Sequence, residues 1–220
     1  MLLQYAAQIL KPMSTPESTA FHCSRKILLR DLILLAFSGW LTAVAFPGFN
    51  QSWIAWWTVV PLIVLCTGKS TKRAMIYGLV WGYFWNLAGC FFLREIMFWT
   101  PFIFGVVMGM FSALWAALIP LVFQNTLYPL SVRLKNCEER SNFFAHSYGG
   151  ELIAAITLSC WWVCLDWIRS WFCTGFPWGL FPVSQWQHPI LLQICEYTGI
   201  YGVDFLLIFC NFAVFFLLLE

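Results

Sequence analysis

Six apolar runs, 27–46, 53–66, 74–93, 102–123, 152–168 and 201–219, alternate with short polar connections along the chain. Within each run the apolar residues are nearly continuous and do not form a one-sided stripe, which marks a helix surrounded by lipid or protein on every side. A membrane-crossing helix needs roughly 20 such residues. The second run is short and contains Pro61, so it is expected to be kinked or to cross only in part. The first run has basic residues before it and an Ala43-Val44-Ala45 stretch that resembles a signal-peptidase site. Its apolar core exceeds the roughly 7–15 residues of a signal peptide and is read as a retained span. The pattern predicts an all-α, polytopic transmembrane helical bundle of about six spans, occupying residues 25–220.

Composition agrees. Of 220 residues, 61% are hydrophobic and 10% charged, and the mean hydropathy is +0.76. A net charge of +2 without a basic patch gives no footing for nucleic acid. The charges also orient the bundle. Lys11, Arg25 and Lys26 precede the first run and Arg30 stands at its start, Lys69, Lys72 and Arg73 separate the second and third, and Arg133, Lys135 and Arg140 separate the fourth and fifth. The alternate connections hold only Arg94 and Arg169. The positive-inside rule then places both termini in the cytoplasm. Residues 1–24, with Pro12, Pro16 and several Ser and Thr, read as a mobile cytoplasmic leader. The 124–150 stretch reads as a plain cytoplasmic loop, and no repeat suggests the inverted halves of a transporter.

One connection stands apart from the rest. After Asp166-Trp167-Ile168-Arg169 the chain reads Thr174-Gly175-Phe176-Pro177-Trp178, with Trp171, Phe172, Phe181 and Trp186 close by. Gly and two prolines, Pro177 and Pro182, forbid a continuous helix, while the aromatic content is that of a membrane interface. An aromatic-rich extracytoplasmic loop between spans five and six, folded into the headgroup region, reconciles both. Asp166 and Arg169 share a helix face, and two readings stand: an ion pair that seats the helix end, or a guanidinium that holds a lipid phosphate.

The remaining polar and small residues read as structure. Gly78-Leu79-Val80-Trp81-Gly82 and Gly105-Val106-Val107-Met108-Gly109 are close-packing motifs, and Asn86 is expected to hydrogen-bond a neighbouring helix. His188 reads as an exposed loop residue, and Glu196 and Asp204 as capping or interfacial acids. Cys160 and Cys164 share a face, but no CxxC pair or nearby histidine accompanies them, so neither metal site nor cofactor is expected.

In order, the Asp166–Arg169 stretch, Thr174–Trp178, Ser184-Gln185 and Gly199-Ile200-Tyr201-Gly202-Val203-Asp204-Phe205 resemble the apolipoprotein N-acyltransferase family. Phe46-Pro47-Gly48-Phe49 and Trp53-Ile54-Ala55-Trp56, leading to Pro61-Leu62, are similar to its first two spans. Two positions depart: the family usually has glutamate at Asp166 and Gly-Tyr at Pro182-Val183. The resemblance implies a multi-pass enzyme of the bacterial inner membrane, moving an acyl chain from phospholipid to the N-terminal diacylglyceryl-cysteine of a lipoprotein. It implies lipid- or substrate-facing roles for Arg169, Thr174, Gly175, Phe176, Pro177, Trp178, Ser184 and Gln185. It also implies that catalysis belongs to a nitrilase-like domain outside the membrane, with a Glu-Lys-Cys set and a thioester intermediate.

No catalytic residue is expected within these 220 residues. The lysines, Lys11, Lys26, Lys69, Lys72 and Lys135, all fall on the side assigned to the cytoplasm, away from Cys173 and Cys195. The chain by itself is therefore expected to position lipid without catalysing, its nitrilase-like domain being missing or separate. A non-enzymatic lipid-binding or transporter-like subunit, or a decayed remnant, is the alternative.

Overall fold

The computed structural model describes residues 20–126, 148–171, 175 and 178–219, with side chains from Ile27 onward except that of Tyr148. Among them there is no strand. The long helices are α1 (Ala20–Val44), α3 (Thr71–Gly89), α4 (Thr100–Thr126), α5 (Tyr148–Trp171) and α6 (Ile200–Leu217), with a short α2 (Val60–Cys66) between α1 and α3. Four segments, Ile27–Val44, Thr100–Thr126, Gly149–Trp171 and Ile200–Leu217, are long and apolar enough to cross a membrane. Helix α3 has 19 residues, about 28 Å at 1.5 Å each, but Lys72 and Arg73 in its first turn make it more polar. The chain is thus an all-helical membrane protein.

Element boundaries shift from the expected ones in instructive ways. Of the expected leader, residues 1–19 lie outside the described residues, whereas 20–24 already belong to α1. Helices α4 and α5 extend into the expected 124–150 loop at both ends, and 127–147 lie outside the described residues.

The second apolar run is not one helix. It is a 3-10 turn, Ser52–Trp56, followed by α2, with Pro61 in the first turn of α2. Breaking a helix frees backbone groups that an apolar surrounding cannot hydrate. Here the neighbouring helices supply partners. Asn211 of α6 accepts from the Val59 amide at 3.0 Å and donates to the Ala55 carbonyl at 2.9 Å. Ser38 of α1 donates to the Thr58 carbonyl at 2.9 Å, and the Thr42 and Thr58 hydroxyls bond each other at 2.9 Å. Trp81 Nε1 of α3 donates to Ser38 Oγ at 3.3 Å.

The two glycine motifs face one another. A Cβ on Gly82 would lie 2.5 Å from Ser112 Oγ and 3.0 Å from the Gly109 Cα, and one on Gly78 would lie 2.5 Å from the Ser112 carbonyl oxygen. Helix α3 therefore lies backbone to backbone on α4. Asn86 differs from expectation: its side chain is buried and donates to the carbonyl of Gly82 in its own helix at 2.8 Å. That i−4 bond gives the amide a partner within its own helix.

Gly82→Leu should cost at least the roughly 1–3 kcal/mol of an overpacked core, read as a lower melting temperature in detergent. Gly149→Ala, with nothing within 4 Å of the added Cβ, should leave it unchanged or raise it. Equal melting of both variants would refute the close α3–α4 contact.

Candidate functional site: a buried ion pair beneath an aromatic loop

Near its end, α5 turns Asp166 and Arg169 inwards. Arg169 Nη2 is 3.0 Å from Asp166 Oδ1, and the two side chains are 2% and 6% exposed. The ion pair is therefore internal, and Arg169 does not face the surroundings. An unpaired guanidinium at this depth would carry a large desolvation cost, so the nearby carboxylate holds it inside. The same Nη2 also reaches the Gly179 carbonyl oxygen, at 3.4 Å. The ion pair thereby touches the loop that follows the helix.

A second acid completes the cluster. Asp204 of α6 is 1% exposed and interacts electrostatically with both Asp166 and Arg169. Trp162 Nε1 donates to Asp204 Oδ1 at 3.0 Å. The expectation of a capping or interfacial role for Asp204 is thus corrected: the residue lies inside the bundle, one turn into α6. An acid within a long apolar run was the available signal. Alongside, Ser170 Oγ donates to the Asp166 carbonyl at 2.9 Å, and the Tyr201 hydroxyl donates to Ser170 Oγ at 3.1 Å. Helices α5 and α6 are joined at this end by polar contacts on two levels.

Aromatic rings wrap the cluster. Trp162 stacks on Trp85 with centroids 6.1 Å apart and meets Trp115 edge-on at 5.0 Å. Phe181 lies 5.8 Å from Trp162 and 5.7 Å from Trp85. The cavity beside Asp166 and Arg169 measures only about 10 Å³, the space of about one water. A lipid headgroup does not fit there.

The loop is anchored on the other side as well. Gly175 has φ +83, and an added Cβ would strike the Ser170 carbonyl. Only glycine meets both conditions. Thr174, Phe176 and Pro177, together with Cys173, lie outside the described residues. Trp178 is 58% exposed and contacts Phe92 at 5.4 Å. Ser184 and Gln185, expected to face substrate or lipid, are buried in a 3-10 turn, Phe181–Gln185. Gln185 Nε2 donates to the Ser52 carbonyl at 2.9 Å, and the Ser184 hydroxyl donates to the Phe181 carbonyl at 2.8 Å. Exposed His188 bonds Ser52 Oγ through Nε2 at 2.8 Å, and Trp186 Nε1 donates to Asn50 Oδ1 at 3.1 Å. These contacts latch the 181–188 segment to the 50–52 turn, so the backbone carbonyl of Ser52 draws Gln185 inwards. Of the expected site residues, the structure thus presents Trp178 at the surface and turns Asp166, Arg169, Ser184 and Gln185 inside. Among the described residues no group of three or more His, Cys, Asp or Glu could hold a metal ion.

A helical membrane domain with a buried Arg–Asp pair under an aromatic loop is the class that fold and site define. Residues 38–213 match the family described as the apolipoprotein N-acyltransferase N-terminal domain, and the chain belongs to that family. The apolipoprotein N-acyltransferase of Geobacter metallireducens is 31% identical over 191 residues, covering 84% of this chain and 33% of the relative. That of Vibrio vulnificus is 29% identical over 190 residues, covering 86% and 33%. A shorter stretch, 48 residues, is 48% identical to the Rickettsia typhi enzyme. The chain spans about a third of the length of the Geobacter and Vibrio relatives it matches.

Removing one partner of a buried ion pair costs about 3–5 kcal/mol, so Arg169→Ala should melt well below the parent in micelles. Trp162→Phe, which keeps most of the ring but removes the donor to Asp204, should cost about 1–3 kcal/mol. Unchanged melting of Arg169→Ala would mean that the guanidinium is solvated and not enclosed.

Proposed function

We propose that this chain is the membrane part of an apolipoprotein N-acyltransferase of the bacterial inner membrane. The reaction would move an acyl chain from a phospholipid to the α-amino group of a lipoprotein's N-terminal diacylglyceryl-cysteine. The observation that carries this reading is the family match over residues 38–213, which takes in the C-terminal end of α1, most of α6 and all the helices between. Both termini are cytoplasmic in this reading, because ten of the twelve basic residues fall before or at the start of the first apolar run and in the two connections on that side. The Thr174–Trp178 loop then lies at the outer headgroup region.

The roles follow from the contacts. Trp178 is exposed and is assigned to the lipid-facing surface; for Thr174, Gly175, Phe176 and Pro177 the same role rests on the family resemblance. Arg169 acts on the loop from below, through Asp166 and the Gly179 carbonyl, and Ser184 and Gln185 hold its far side to the 50–52 turn. Arg169 is therefore a positioning residue. Catalysis falls to a nitrilase-like domain that supplies the glutamate, lysine and cysteine, with no cofactor. Residues 1–220 alone do not catalyse, since Lys69 precedes α3 and Lys72 lies in its first turn, at the end away from Trp178, and Lys11, Lys26 and Lys135 share their side by the charge pattern.

Three measurements test this. In a cysteine-free background, Asn136→Cys should react with an impermeant thiol reagent only after the membrane is opened; labelling of intact cells would overturn the orientation. Purified 1–220 in vesicles should transfer no labelled acyl chain to a diacylglyceryl-cysteine peptide. Turnover that Cys173→Ala or Cys195→Ala abolishes would identify another mechanism. In the protein joined to its soluble domain, Arg169→Ala should lower transfer from phospholipid, and Arg169→Lys should restore part of it, because a point charge keeps the ion pair but loses the fork. Normal donor kinetics with lost stability would confine Arg169 to seating the helix.

A further inference from the structure

A second feature lies on the flank formed by α1 and α3. The two helices press together at Gly39, where an added Cβ would strike the Trp81 carbonyl. One turn further toward the Trp178 end they leave a furrow of about 380 Å³. Ala43 and Ala88 form its floor, and Trp40, Phe49, Phe84 and Phe91 its walls. Trp40, Phe49 and Phe91 are exposed on the outer face of the bundle, so the furrow opens toward the surrounding bilayer. The furrow is far roomier than the one-water cavity beside Arg169, and its apolar walls suit a stretch of acyl chain.

Charge marks one end of the furrow. Phe91 begins the 3-10 turn Phe91–Glu95, and the Arg94 guanidinium carbon sits 5.0 Å from the Phe91 ring centroid. Arg94 Nε lies 3.1 Å from Glu95 Oε1, and the two side chains are 54% and 76% exposed. The other basic residue of this end, Arg169, is enclosed with Asp166. A guanidinium has five donors and Glu95 engages one edge, so further N–H groups suit a phosphate. The adjacent carboxylate suits an ammonium and disfavours a headgroup with net negative charge.

We propose that this furrow is a binding site for a zwitterionic phospholipid. One acyl chain lies between Trp40 and Phe84 over Ala43 and Ala88, the phosphate rests on Arg94, and the headgroup ammonium lies by Glu95. The site is separate from the Arg169 loop, and its occupancy requires no acyl transfer, so it stands or falls independently of the proposed reaction.

The test uses the full chain in phosphatidylglycerol nanodiscs carrying a trace of phosphatidylethanolamine with a photoreactive group midway along one acyl chain. Cross-links mapped by mass spectrometry should concentrate on residues 40–49 and 84–91, several-fold above the exposed α4 face at Ile103, Val106 and Met110. Ala88→Trp, which fills the floor, should abolish that excess. Ala43→Leu, a smaller intrusion, should reduce it if Ala88→Trp fails to fold. Arg94→Gln should weaken retention of the probe, and unlabelled phosphatidylethanolamine should displace it better than phosphatidylglycerol. Even labelling of both flanks, or an excess that survives Ala88→Trp or Ala43→Leu in a folded protein, would overturn the site. Equal displacement by the anionic lipid would overturn the headgroup assignment.

Discussion

A guanidinium inside an apolar bundle is tolerable only beside a carboxylate, and Arg169 with Asp166 meets that condition at 3.0 Å. Much of the loop end depends on it. Because the pair faces inwards, α5 must present this face to α6, where Asp204 and its Trp162 partner complete the polar cluster. Because Arg169 also reaches Gly179, the chain leaving α5 must fold back over the bundle. The surrounding rings of Trp85, Trp115 and Phe181 shield the cluster, which strengthens its electrostatics and raises the cost of disturbing it. The loop's outer surface, including Trp178, is presented by this buried support.

The same economy governs the second apolar run. A helix broken at the 3-10 turn Ser52–Trp56 would leave amides and carbonyls stranded, but Asn211 from α6 and Ser38 from α1 take them up. Polar side chains in the middle of apolar helices thus serve the backbone of a neighbour. The 50–52 turn, held in this way from below, becomes the anchor for Gln185 and His188. Two irregular connections, far apart in sequence, brace one another at the end of the bundle where Arg94 and Trp178 also lie.

Much of the fold was legible from pattern alone. Long apolar runs must be helices because lipid offers no backbone partners, and paired Gly-x-x-x-Gly motifs invited the close α3–α4 contact. The family resemblance, carried by the residues around Asp166–Trp178, agreed with the match over 38–213. Pro61 in a short run signalled the break before α2. Asn86 and Asp204 were misread for one reason. Which partner a buried polar group finds depends on geometry that spacing does not encode, whether a carbonyl one turn back or an indole on another helix.

The sequence by itself determined that the chain is a bundle of membrane helices, where those helices lie within a few residues, and to which family it belongs. The helices follow from hydropathy, proline and glycine, which act locally along the chain, and the family from the motifs around Asp166–Trp178. Only the tertiary structure decided which side chains of the loop region face out. Arg169, Ser184 and Gln185 turn inwards because Asp166, the Phe181 carbonyl and the Ser52 carbonyl await them there, and Trp178 remains outside against Phe92. Burial of a polar group is settled by the partner it meets, and the fold alone brings that partner within reach.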